Sequence, residues 1–235
     1  MGLKGAWVVI AILLFAALTM AQSSRPVDQG DRFRPLPYAE LTPRQKLMVQ
    51  PYMNVVQAEA RRRGETIVPY EIESKLMAAQ FNSTLYVGVR SPEVTDSLLK
   101  MGYYLRTGAV PRKLIELSIL LTARSWNDQF EWYSHRPQAR QFGLSEEIIE
   151  AVAAGKRPAS MQPDEEAVYN FCTELRGTRQ VSDRTFEAVK SQLGSEQAVV
   201  ELMATMSTWE LSSMFHVVDR FPLPDGVKPE LKPLE

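Results

Sequence analysis

Between Pro111 and Trp126 the chain reads PRKLIELSILLTARSW, a segment that opens on proline and is apolar nearly all round. Proline suits the first turn of a helix, where its missing N–H costs no hydrogen bond. Leu114, Leu117, Ile119, Leu120 and Leu121 leave little of the surface for water. A helix of that kind is stable only when other elements cover it, so it belongs in the middle of a bundle.

The flanking sequence supplies the neighbours. Thr42-Pro43-Arg44-Gln45 is a capping box with proline at the first helical position, and opens a helix toward Gly64. A second helix is expected from Ile72 to Phe81. Ser91-Pro92-Glu93 caps a third, in which Val94, Leu98, Met101 and Leu105 recur at helical spacing. After the Pro111 helix, a break at Trp126-Asn127 leads into a helix over Asp128 to Phe142, stopped by Gly143. Ser145-Glu146-Glu147 caps a short helix that ends at Gly155. Three more follow, over Asp164 to Leu175, Ser182 to Leu193 and Ser195 to Phe221. No useful length alternates with a period of two, so strands are not needed. The expected fold class is all-α, a multi-helix bundle in one domain over 41–222, with an extended, proline-spotted tail over 223–235.

The N-terminus reads differently. Lys4 precedes the apolar run Ala6 to Leu18, and Thr19-Met20-Ala21 puts small residues where signal peptidase reads them. The run is shorter than the roughly 20 apolar residues that span a bilayer. Residues 1–21 are therefore read as a signal peptide, with an uncleaved anchor as the weaker alternative, and 22–40 as a flexible linker. The mature protein is expected to be periplasmic or secreted, without stable membrane association. Net charge is −1 over 235 residues, so no basic surface recommends nucleic acid as a partner. Cys172 stands alone in the chain, in the apolar run Val168 to Cys172, and reads as a buried, inert thiol.

The stretch Pro111 to Gly155, PRKLIELSILLTARSWNDQFEWYSHRPQARQFGLSEEIIEAVAAG, resembles the central motif of the carboxymuconolactone decarboxylase and alkylhydroperoxidase D-like family. Ser91 to Gly108 is similar to that family's preceding helix and Val181 to Pro222 to its closing helices, so the likeness runs over about Ile72 to Pro222. The resemblance implies an alkylhydroperoxidase D-type bundle that assembles into trimers or hexamers. The family's redox branch carries C-x-x-C-x-x-x-H with a glutamate twelve residues before the first cysteine. Here Glu116 matches the glutamate and His135 the histidine, while Asp128 and Glu131 stand where the two cysteines would be. Dithiol peroxide reduction needs a thiolate that attacks and a second that resolves. Two carboxylates cannot do this.

Asp128, Glu131 and His135 lie three, four and seven apart and so share one helix face. Taken alone, such a stripe, with Arg136 and Arg140 beside it, is more readily a solvated face held by ion pairs. The resemblance shifts the balance toward a site. By analogy with the decarboxylase branch, whose substrates are unsaturated lactones bearing a carboxylate, His135 is the expected general acid/base, with Glu131 orienting it. Glu116 and Asp128 complete the catalytic set, and Arg124, Arg136 and Trp132 are the expected substrate-binding residues. No cofactor or metal is expected; the only other histidine, in His216-Val217-Val218-Asp219, reads as packed against Trp209 or Phe215, ahead of a metal-binding alternative. Three functions stay open: a small-molecule lyase of the decarboxylase kind, a peroxidase-type redox protein, disfavoured without C-x-x-C, and a non-catalytic helical binding or assembly protein.

Overall fold

A computed structural model describes residues 32–34, 36, 38–62, 83–224 and 226–233. The segments expected as a signal peptide and, for the most part, as a linker, and the helix expected over Ile72 to Phe81, lie outside them. Among the described residues the structure is all-helical, without strands. The helices are α1 (Pro43–Arg62), α2 (Ser83–Gly88), α3 (Pro92–Leu105), α4 (Arg112–Trp126), α5 (Gln129–Gln141), α6 (Glu146–Ala153), α7 (Pro163–Thr178), α8 (Asp183–Leu193) and α9 (Glu196–Asp219), with a 3-10 turn at Tyr38–Glu40 before α1. None of the described helices is long and apolar enough to cross a membrane.

The chain divides into two compact units at the Pro92/Glu93 boundary. In the first, the Thr42 capping box forms as its residues require: the Thr42 N–H donates to Gln45 Oε1 at 2.8 Å, and the Gln45 N–H to Thr42 Oγ1 at 3.3 Å. Gln45 also donates through Nε2 to the Val89 carbonyl, tying the start of α1 to the end of α2. Helix α2 was not legible in the sequence. Its six residues are too few for an apolar period to show.

The second unit is built around α4. Every residue from Leu114 to Ala123 is buried, and the helix packs against α5, α6, α7 and α9. That is the placement its all-round apolar surface demands. The core continues through Ile148, Ile149, Val168, Phe171, Leu202 and Met206 on the surrounding helices. Local signals set the other boundaries. Ser145, Ser182 and Ser195 each accept a backbone N–H at a helix start. Helix α7 begins one residue earlier than expected because Gln162 and Glu165 form a capping box ahead of Pro163. Helix α9 stops at Asp219, short of Phe221, because Arg220 takes the left-handed conformation at φ 56°.

The segment after α9 is extended, and side chains pin it down. Arg124 donates to the Lys232 carbonyl at 2.7 Å. Gln129 donates to the Leu231 carbonyl at 2.7 Å and accepts from the Glu230 and Leu231 N–H groups. Leu231 itself joins the core at 4% exposure.

Candidate active site

The corner between α4 and α5 is made by two residues. Asn127 closes α4 at φ 49°, a region its short polar side chain tolerates. Asp128 then caps α5, its Oδ1 accepting the N–H groups of Phe130 and Glu131, both at 3.1 Å. The cap orients the helix so that Glu131 and His135, at successive turns below Asp128, point between α4 and α9. Glu116 meets them from α4; Trp209, Ser212 and His216 meet them from α9.

These side chains form a continuous buried chain. Arg112 pairs with Glu116 Oε1 at 2.6 Å, and Glu116 Oε2 lies 2.7 Å from His135 Nδ1. His135 Nε2 lies 3.1 Å from Glu131 Oε1. Glu131 Oε2 accepts from Ser212 Oγ at 3.2 Å and lies 3.4 Å from His216 Nδ1. His216 Nδ1 lies 2.7 Å from Asp128 Oδ2, which ends the chain. All five acidic and histidine residues are at most 5% exposed. Charges removed from water to this degree persist only when paired and hydrogen-bonded, and here each is.

Burial alone would push the His135 imidazolium toward lower pKa, but the charges and hydrogen bonds of Glu116 and Glu131 outweigh it and carry the ring up to about 9. His216 moves upward for the same reason: burial opposes, and Asp128 with Glu131 prevails. Glu116 moves the other way. Burial would raise it, and His135, Arg112 and Arg106 hold it below the usual carboxylate range. Glu131 is likewise lowered against its burial, by His135, His216 and Ser212.

The sequence reading of Glu116, Asp128, Glu131 and His135 as one group matches the geometry. Its three substrate-binding residues sit elsewhere. Arg124 bonds Asn127 Oδ1 and the tail carbonyl of Lys232. Trp132 is buried in the core and donates its indole N–H to Glu230 Oε2 at 2.9 Å. Arg136 is held by Glu146, Glu150 and Glu230. All three hold the C-terminal tail or its surroundings. The cause is one residue of helix phase: positions 132 and 136 follow 131 and 135 by about 100° around α5, and face the tail. The cations that act on the cluster are Arg112 and Arg106, the latter stacked 5.1 Å from the Trp209 ring centroid.

Two members were missed. Trp209 packs edge-on against His135, ring centroids 5.7 Å apart, with its indole Nε1 3.1 Å from His135 Nε2. His216 was expected against Trp209 or Phe215, but its ring is flanked by Phe130 and Phe221, and Asp128 faces its Nδ1. Nothing local in the sequence signals this, because 88 residues separate His216 from Asp128. Ligand atoms from Asp128, Glu131 and His216 lie within 4.8 Å of one another, which makes them the set among the described residues that could hold a metal ion. Cys172 is fully buried, 3.7 Å from Ser118 Oγ, and burial pushes its thiol pKa up, as expected of an inert thiol.

Fold and site together define an all-helical protein with a buried carboxylate–histidine network between three helices. No protein-family model matches the chain, and no curated protein matches it.

Proposed function

We propose that the protein is a proton-transfer enzyme of the carboxymuconolactone decarboxylase kind, acting on a small carboxylated lactone or related unsaturated acid. The observation that carries this reading is the setting of His135. Its Nδ1 is held by Glu116 at 2.7 Å, while Nε2 lies 3.1 Å from both a carboxylate, Glu131, and an indole N–H donor, Trp209. With a proton on Nε2 the ring donates to Glu131; without it, Nε2 accepts from Trp209. Either state has a partner, so the ring gives up and regains a proton without turning, as a positioned acid/base must.

In the reaction, the bond between the substrate carboxylate and the ring carbon breaks and its electron pair moves through the double bond onto the lactone carbonyl oxygen. CO2 leaves, and the resulting enolate takes a proton from His135 at carbon; solvent restores that proton. Arg112 and Arg106 take the carboxylate-binding role first assigned to Arg124 and Arg136. Glu116 and Glu131 are positioning residues that fix the imidazole. The absence of C-x-x-C at 128 and 131, together with the buried Cys172, argues against the redox branch.

The test is CO2 release from a panel of carboxylated butenolides by the full chain. Loss of at least about 10²-fold in turnover is expected for His135→Ala, with Arg136→Ala unchanged. Turnover that survives His135→Ala, or a wild-type protein inert across the panel, overturns the reading.

A further inference from the structure

In the lower half of the buried network, where Asp128, Glu131 and His216 meet, the chemistry just described uses Glu131 alone, and that through Oε1; Glu131 Oε2, Asp128 and His216 have no part in it. We propose that these three side chains bind a divalent first-row cation such as Zn2+, Mn2+ or Fe2+, with a coordination position left for water or another oxygen ligand. This holds whether or not His135 transfers protons.

The donor set is the first argument. One imidazole nitrogen and two carboxylate oxygens suit a borderline or hard divalent ion, and their charge of −2 with a neutral ring matches it. Spacing is the second. Donors bound about 2.1 Å from a tetrahedral ion stand about 3.4 Å apart. Glu131 Oε2 already lies 3.4 Å from His216 Nδ1, whereas Asp128 Oδ2, at 2.7 Å, needs to open by several tenths of an ångström as the ion replaces the shared proton.

Preorganisation is the third argument, and it separates this group from a chance meeting of charges. Asp128 Oδ1 is occupied by two backbone N–H groups, which aims Oδ2 at His216. Glu131 is held by Ser212 at Oε2 and by His135 at Oε1. The His216 ring is fixed edge-on to Phe130, with centroids 5.2 Å apart, and tilted against Phe221 at 5.4 Å. Each donor is thus held before an ion arrives, the two carboxylates by hydrogen bonds, as metal ligands generally are, and the His216 ring by aromatic packing.

The experiment titrates metal-free full-length protein with Co2+ and Zn2+ alone. One equivalent of Co2+ is expected, with a visible absorption band of four- or five-coordinate cobalt that excess Zn2+ abolishes. His216→Gln and Asp128→Asn should each weaken binding by more than tenfold. Ser212→Ala should weaken it by about tenfold, since it removes an orienting partner only. Glu187→Gln on the exposed face of α8 should bind as wild type does. Because the ligand variants could lose the fold, the wild type is also followed by nitrogen-15 NMR of its two histidines. Zn2+ should move the His216 ring resonances and convert Nδ1 to a metal-bound nitrogen. Binding well below one equivalent, undiminished binding in folded His216→Gln, or His216 resonances that ignore Zn2+ would each overturn the site.

Discussion

On α5 two stripes of polar side chains run side by side. Asp128, Glu131 and His135 turn toward α4 and α9, where they meet Glu116, Trp209 and His216 out of reach of water. Gln129, Trp132 and Arg136, one position further along, turn toward the extended tail and hold Glu230 and Leu231. The spacing of the two stripes is identical, but their energetics are not. Inside, each charge has lost its hydration, so its partner is obligatory. Around Arg136 the carboxylates of Glu146, Glu150 and Glu230 are half exposed, and water replaces any one of them at little cost. The lesson is that a shared helix face says which side chains meet, and burial decides what their meeting is worth.

Breaking the inner stripe should give the largest effect. Glu116→Ala takes from the half-buried Arg112 its carboxylate and from the buried His135 one of its two, and is expected to cost about 3–5 kcal/mol in urea unfolding. Replacing Glu116, Glu131 and His135 together by leucine removes three desolvated groups with their mutual contacts, and leaves His216 paired with Asp128 and the part-exposed Arg112 within reach of water. Its expected stability is equal to wild type or higher by about 1–4 kcal/mol, with activity gone. A triple variant as unstable as Glu116→Ala would show that the network is there for stability. On the outer side, Leu231→Ala should cost about 2 kcal/mol and free the tail, which limited proteolysis after α9 would register. Arg136→Ala, despite three ion pairs, should cost no more than about 1 kcal/mol.

The smallest effect is one of pH. Hydrogen bonds from Arg140 and Arg136 hold the Glu146 carboxyl down at about 2. A depressed carboxylate contributes stability above its unfolded pKa and loses it as pH falls through the folded value. The contribution of Glu146 should therefore be complete above about 4.5 and fade toward about 2. The pair is largely exposed, so the change is small, and 0.5 M salt should erase it. Melting curves of Arg140→Gln over that range should run flatter than those of wild type. A wild-type acid limb unaltered by Arg140→Gln would show that the outer pairs add nothing.

Much of the architecture was legible because it is written locally. The proline at 111, the serine caps at 145, 182 and 195 and the glycine stops at 143 and 155 act on the few residues beside them, and α4, α6 and α8 fall where those signals put them. Part of the site was legible too. Asp128, Glu131 and His135 share a helix phase, and the resemblance added Glu116 from the neighbouring helix. Arg124, Trp132 and Arg136 were misplaced because helix phase alone does not say which stripe the bundle covers and which the tail covers. His216 and Trp209 were invisible as partners, since no local rule links α9 to α5.

By itself, then, the sequence determined an all-helical chain with α4 buried among the helices of its second unit and a polar stripe on α5, since capping, proline geometry and apolar periodicity operate over single turns. Only the tertiary structure decided that the stripe faces inward, that His216 closes on Asp128 from 88 residues away and that the tail folds back over Trp132. Those outcomes depend on which desolvated charges find partners when helices distant in sequence pack together, and on Leu231 finding a place in the core.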